Sequence, residues 1–392
     1  MDCTVNHSIF LRSNGSLACW CDYGSLKTLQ EFDPSLDYAE DVYLGKVYGF
    51  IREQLAAGTM PFPSFCSKCM MLQPSLPFSD GYVRSRYIDT FQVEPSLACN
   101  LDCPGCIPIK DRKTRLSKTW CGHLILAPKI LEKILKDFHR ARMNIRVIDF
   151  QGHGEPTLNP DVWNMIRLTR SLFPASYLSM CTHANLDFAD HMVDAGLSQI
   201  IYAIDGMDQE SYAPYRVHGD FDSAYRFMKE FSTAARARRL KTDTVWKYVL
   251  FRHNDSREQL LQAQEMAREA QVSQLRFVIT QLGPMSTSIV DEDDIPRIKH
   301  KVNIKIDNYK VSVKQLDDGI ATARSGIKSK QLPQAAQSAA FVAAMMKRLF
   351  SQPQTVPPKF ARYLTDLHEI ADTMPEAART TILTDIQHLS SP

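Results

Sequence analysis

The chain has 392 residues, 44% hydrophobic and 23% charged, with a formal net charge of +2. It is long enough to bury a sizeable core, and too balanced in charge for its overall field to select nucleic acid or an anionic membrane. No run of about 18 apolar residues occurs, and the start lacks a charged segment followed by an apolar one, so neither a membrane span nor a signal peptide is expected and the cytoplasm is the expected compartment. Ten cysteines, eight of them in two short-spaced groups, suit metal ligation in a reducing compartment better than a disulfide framework.

Residues 1–82 show little helical periodicity apart from about Tyr38–Ala57, and many turn residues. Cys3, Cys19, Cys21, Cys66 and Cys69 gather there, in "NGSLACWCDYG" and "FPSFCSKCMML" beside the earlier Cys3. A Cys-x2-Cys knuckle with earlier cysteines fits zinc or an iron–sulfur cluster, and a segment with so little core needs such a staple.

From about residue 86 to 282, β-branched runs alternate with amphipathic stretches, the pattern of βα units around a mainly parallel sheet. The predicted strands are 87–93, 145–151, 177–182, 199–204, 244–251 and 275–280, each apolar enough to be buried on both faces. Ile130, Leu131, Ile134, Leu135 and Phe138 form a helical core stripe, as do Leu260, Leu261, Ala263, Met266, Ala267 and Ala270. Six such units curl into an open, partial (β/α)6 barrel within residues 83–285, with its active face at the C-terminal strand ends. Residues 286–392 turn helical, most clearly over 335–349 and 359–373, which Pro353, Pro357 and Pro358 separate.

After the first of these strands comes "ACNLDCPGC", with Cys99, Cys103 and Cys106. Three clustered thiolates are soft ligands for zinc or an iron–sulfur cluster. Structural zinc needs a fourth ligand, and Cys121 or His123 stands near enough in sequence to supply one. After the second strand, "QGHGEPTLNP" carries Gly152 and Gly154, which allow close backbone approach, and Glu155, an acceptor for an ammonium group.

This CxxxCxxC loop, followed one βα unit later by a GGEP-like turn, resembles the radical S-adenosylmethionine (radical SAM) superfamily. The resemblance implies that Cys99, Cys103 and Cys106 ligate three irons of a [4Fe-4S] cluster, whose fourth iron is left for S-adenosyl-L-methionine. The 5'-deoxyadenosyl radical released from that cofactor then abstracts hydrogen from a substrate. It also implies that Gly154, Glu155 and Pro156 hold the methionyl amino group, with His153 in place of the usual glycine. "SMCTHANL" stands where relatives read TNG, which brings Thr182 and Asn185 to the site, while Cys181 reads as a small buried residue. A family serine near the ribose is replaced by Ala203, leaving Asp205 as the candidate for that contact. Lys247 and Asn254 resemble further polar cofactor contacts, and Asn254 also fits a turn next to a helix start. The residue before the third cysteine is often aromatic in the family. Here it is Gly105, which leaves more room beside the adenine and permits φ > 0.

The N-terminal cysteines are similar to the SPASM-type auxiliary-cluster module, although that module usually follows the barrel. With Cys3, Cys19, Cys66 and Cys69 as ligands, the resemblance favours a second iron–sulfur cluster over zinc. The expected partners are a reductant such as flavodoxin or ferredoxin and a peptide or small-molecule substrate, with no nucleic acid or membrane. Lys110, Arg112, Lys113, Arg115 and Lys118 form either a solvated surface or a lid for an anionic or sugar-like substrate. Oxidation, epimerisation and rearrangement all remain open as the reaction. The rival readings are a non-enzymatic iron–sulfur carrier or scaffold, which leaves Gly154-Glu155-Pro156 without a purpose, and a zinc-stapled interaction protein with the helical C-terminus as its binding surface.

Overall fold

The computed structural model describes residues 1–19, 27–67, 69, 72–73, 78–106, 125–280, 286, 288–289, 292–299, 302–308, 313–349, 356, 358–387 and 389. Among them run the strands β1 Asp2–Cys3, β2 Ser8–Leu11, β3 Leu17–Ala18, β4 Thr28–Gln30, β5 Leu72–Gln73 and β6 Tyr87–Val93. These are followed by β7 Asn144–Phe150, β8 Tyr177–Thr182, β9 Gln199–Ala203, β10 Asp243–Leu250, β11 Gln274–Ile279 and β12 Ile304–Asn308. The six strands expected from the sequence are β6 to β11, each within one residue of its expected ends. Ten strands share one sheet in the order β12, β11, β10, β9, β8, β7, β6, β2, β3, β4, and β6 to β10 are successive parallel neighbours. The architecture is therefore mixed α/β, with the crossovers that parallel pairing requires.

The crossover helices follow from the apolar stripes. Pro128–Arg140 begins with proline where no amide is needed, buries Leu131, Ile134, Leu135 and Phe138, and is followed by Arg142 in the left-handed region at φ 54°. Phe138 meets Phe91 of β6 edge-on at 5.7 Å, a contact worth about 1 kcal/mol beyond its burial. Phe221–Ala237 lays Phe227 and Phe231 against Tyr202 of β9.

The helix-covered face of the strands is apolar at its centre, with Phe91, Ile148, Phe150, Met180, Tyr202 and Trp246 buried, and carries the Arg146–Asp89 ion pair toward the strand starts. The alternate positions depart from the expectation of strands buried and apolar on both faces. Gln92, Asp149 and Ser179 stand in register across β6, β7 and β8, and the same face carries Cys181 on β8 and Lys247 on β10. Period-two alternation puts all five opposite the helices, and four of them keep partial exposure.

By compactness the chain forms two units, Met1–Tyr248 with Gln262–Arg276 and His300–Ile304, and Val249–Leu261 with Phe277–Lys299 and Lys305–Pro392. The texture-based divisions at 82/83 and 285/286 do not coincide with this grouping. In the first unit the N-terminal segment widens the sheet, with β2 lying parallel to β6 from Ser8–Thr90 to Leu11–Val93, and β3 and β4 adding antiparallel strands beyond it. The second unit contains the helices Val313–Lys328, Leu332–Leu349, Pro358–Asp372 and Glu376–Ile386 around Leu316, Val342, Met346, Leu364, Leu367 and Ile382. No helix among the described residues is long and apolar enough to cross a membrane.

Candidate active site

The cysteine loop leaves the C-terminal end of β6 and is held by its neighbours' backbones. Glu155 N–H donates to the Ala98 carbonyl at 2.8 Å, and Asp102 N–H donates to the Val217 carbonyl at 3.1 Å, so the loops after β7 and β9 clasp it from two sides. Cys99 and Cys103 are half-buried and Cys106 is exposed, and none is in a disulfide. The turn is closed by Cys106 N–H donating to the Cys103 carbonyl at 3.0 Å, while Leu101 N–H points at Cys99 Sγ at 3.5 Å.

The glycines of "GHGEP" are explained by close approach. A Cβ at Gly154 would lie 2.6 Å from the Ala98 carbonyl oxygen and closer still to that of Ser96, so only glycine lets the two loops touch. A Cβ at Gly152 would meet Glu94 Oε1 at 2.5 Å. Glu94, fully buried at the end of β6, accepts from His153 N–H at 2.9 Å and from Ser13 N–H at 3.2 Å, joining the "GHGEP" turn to the N-terminal segment. Nothing in the alternation of "VEPSLACN" marks that role.

Glu155 is a knot between loops. Its Oε1 accepts from Thr157 N–H at 3.1 Å, Thr157 Oγ1 at 2.7 Å and Thr182 Oγ1 at 2.7 Å, and its Oε2 accepts from His183 N–H at 2.9 Å. Oε1 therefore carries three donors and Oε2 one, with His183 Nε2 also 3.5 Å from Oε2. Pro156 starts the short helical turn Pro156–Leu158, for which Glu155 is the N-cap. His183 accepts Asn185 N–H at Nδ1, which leaves Nε2–H to donate to Asn100 Oδ1 at 2.8 Å, and burial holds the ring's pKa below its ordinary value. Asn185 donates to Tyr212 Oη at 2.7 Å and accepts Asp220 N–H at 2.6 Å, so it locks the loop after β8 to the one after β9.

The segment after β9 supplies what the motifs did not forecast. Asp205, fully buried, accepts Arg216 Nε at 2.7 Å and Nη2 at 2.6 Å on one oxygen, and Arg216 Nη1 points at Cys103 Sγ at 3.7 Å. Asp205 is thus engaged by Arg216 through one of its two oxygens. Burial raises the Cys103 thiol pKa and the Arg216 charge opposes that rise. A Cβ at Gly105 would lie 2.8 Å from Tyr215 Oη, and Gly105 is not among the glycines with positive φ. The room expected beside it is taken by Tyr215. Lys247, on β10, lowers the pKa of Cys181, which burial raises. Asn254 is a turn residue, accepting Phe251 N–H at 2.7 Å and donating to the Val249 carbonyl at 3.0 Å.

Four N-terminal cysteines from distant segments lie within electrostatic reach of one another. Pairing of β1 with β5 sets Cys3 opposite Leu72, and burial foremost, then Cys19, Cys69 and Cys66, push the Cys3 thiol up to about 12. Cys21, Cys121, His123 and the basic loop with Lys110, Arg112, Lys113, Arg115 and Lys118 lie outside the described residues. Among the described residues no group of three or more His, Cys, Asp or Glu converges closely enough to hold a metal ion. Both thiol sets offer the donor chemistry of iron–sulfur ligation.

No protein-family model and no curated protein matches the sequence. Among solved structures, the chain is similar to Streptococcus suis SuiB, at 13% identity and TM-score 0.40 over 78% of this chain and 72% of that one. It is also similar to SuiB bound to precursor peptide SuiA, at 14% identity and TM-score 0.38, over 69% of this chain and 61% of that one. Methylornithine synthase (PylB) matches at 14% identity and TM-score 0.34, over 50% of this chain and 55% of that one. The chain spans less than two thirds of the last two. Likeness at this level transfers no residue roles, and those stand on the contacts described above.

Proposed function

We propose that the protein is a radical SAM enzyme acting on a peptide or on a small, anionic or sugar-like molecule. The observation that carries this reading is the clasp between the CxxxCxxC loop and the "GHGEP" turn, through Glu155 N–H on Ala98 O and the glycine-only approach of Gly154. A metal staple needs four ligands but not a second loop held against them at the strands' C-terminal ends.

On this reading Cys99, Cys103 and Cys106 hold a [4Fe-4S] cluster, and Gly154, Glu155 and Pro156 form the wall for the methionyl group of S-adenosyl-L-methionine, with Glu155 Oε2 accepting from its ammonium. A cluster held by these cysteines would supply the electron for reductive cleavage of bound S-adenosyl-L-methionine, and the radical chemistry that follows would begin with abstraction of a substrate hydrogen. Thr182 keeps Glu155 oriented, and Asn185 keeps the neighbouring loop closed against Tyr212. Gln92, Asp149, Ser179 and Lys247 give the sheet face opposite the helices polar groups suited to orienting a polar substrate. Cys3, Cys19, Cys66 and Cys69 hold a second, auxiliary cluster, and a flavodoxin or ferredoxin delivers electrons.

Anaerobic reconstitution tests this. Iron and acid-labile sulfide in equal amounts, with a substantial part lost in Cys103→Ala, is the expected result. Zinc without sulfide would sink the assignment.

A further inference from the structure

We propose that Arg216, held by Asp205, is a positioning residue that sets the reduction potential of the iron centre bound through Cys103. The guanidinium is only 13% exposed, and both Nε and Nη2 bind a single oxygen of the fully buried Asp205, which turns Nη1 toward Cys103 Sγ at 3.7 Å. Tyr215 flanks the group, with its ring centre 5.6 Å from Arg216 Cζ, and Asp102 N–H on Val217 O pins the adjoining backbone to the cysteine loop. Arginine stays charged under all working conditions, so the sulfur faces a permanent cation with a directed N–H.

The consequence follows from electrostatics. One-electron reduction adds a negative charge to the centre, and a nearby cation and N–H···S bond stabilise the reduced form more than the oxidised one, raising the potential. Asp205 works in two ways: it aims the guanidinium and, as a counter-charge, moderates it. Thiolate ligands of iron centres are commonly tuned through such partners, but none of the cysteine motifs encodes this one.

The inference rests on the cluster assignment above. Its test is the midpoint potential of reconstituted full-length protein, read by electron paramagnetic resonance during chemical titration. Arg216→Met lowers the midpoint, Arg216→Lys falls between that variant and the wild type, and Asp205→Asn raises it by removing the counter-charge. A purely structural role would move both positions the same way or change only the amount of cluster bound. An Arg216→Met protein that binds its cluster and keeps the wild-type midpoint overturns the inference alone. If Arg216→Met takes up no cluster, Asp205→Asn decides, and an unchanged or lower midpoint overturns it. A wild-type chain that takes up no iron and sulfide defeats the cluster assignment, and this inference with it.

Discussion

The two cysteine sets are built on opposite plans. Cys99, Cys103 and Cys106 lie within one loop whose course is fixed by Glu94, Glu155 and the backbones on either side. Cys3, Cys19, Cys66 and Cys69 come from separated segments, joined by two-residue strands and a single turn of helix. The first set is held against a ten-stranded sheet by contacts that involve no cysteine side chain. On the proposed reading the second set, gathered from separate segments, depends on its metal, which would then be part of the fold.

The largest expected effect breaks that comparison most openly. Cys66→Ala should lower the unfolding free energy by more than about 4 kcal/mol, the scale of a lost structural metal, whereas Cys103→Ala should change it by less than about 1 kcal/mol. Denaturant unfolding of anaerobically prepared protein reads both, and equal losses would end the distinction. Next comes Gly154→Ala, whose methyl group meets backbone on three residues of the cysteine loop. It should cost about 3 kcal/mol by overpacking and weaken S-adenosyl-L-methionine binding in a calorimetric titration. Full binding in that variant would remove the clasp from the account.

A smaller effect concerns the polar sheet face. Burial raises Asp149 to about 6, against the hydrogen bond it accepts from Ser179 at 2.5 Å. Between about pH 4 and 6 the folded chain keeps a proton that the unfolded chain has lost, so this group's contribution falls as pH rises through that window. Asp149→Asn should remove the fall and gain about 2 kcal/mol at pH 7 relative to pH 4, measured as the pH dependence of the unfolding midpoint. An unaltered profile would place Asp149 in full contact with water. The smallest effect is at Gly105. Gly105→Ala should cost about 1 kcal/mol by pressing on Tyr215, and Tyr215→Phe should relieve most of it in a double-mutant cycle. Additivity would show that Tyr215 does not fill that space.

The legible part of the molecule was local. Apolar runs and helical stripes placed β6 to β11 because each strand's burial is written in consecutive residues. The cysteine spacing and "GHGEP" likewise announce themselves within a dozen residues. What stayed hidden depends on distant pairing. Ser8–Leu11 is too short to signal that it extends the sheet beside β6, and nothing near Glu94 tells that its carboxylate reaches both Ser13 and His153. The neighbours of Asp205 and Gly105 were hidden for the same reason: Arg216 and Tyr215 lie more than ten residues further along the chain.

Release of 5'-deoxyadenosine is the most direct measurement of the central claim. Reduced, reconstituted protein with S-adenosyl-L-methionine should release it slowly even without substrate, and Cys103→Ala should release none. Equal release from both proteins, or none from a wild type shown to carry its cluster, would contradict the account.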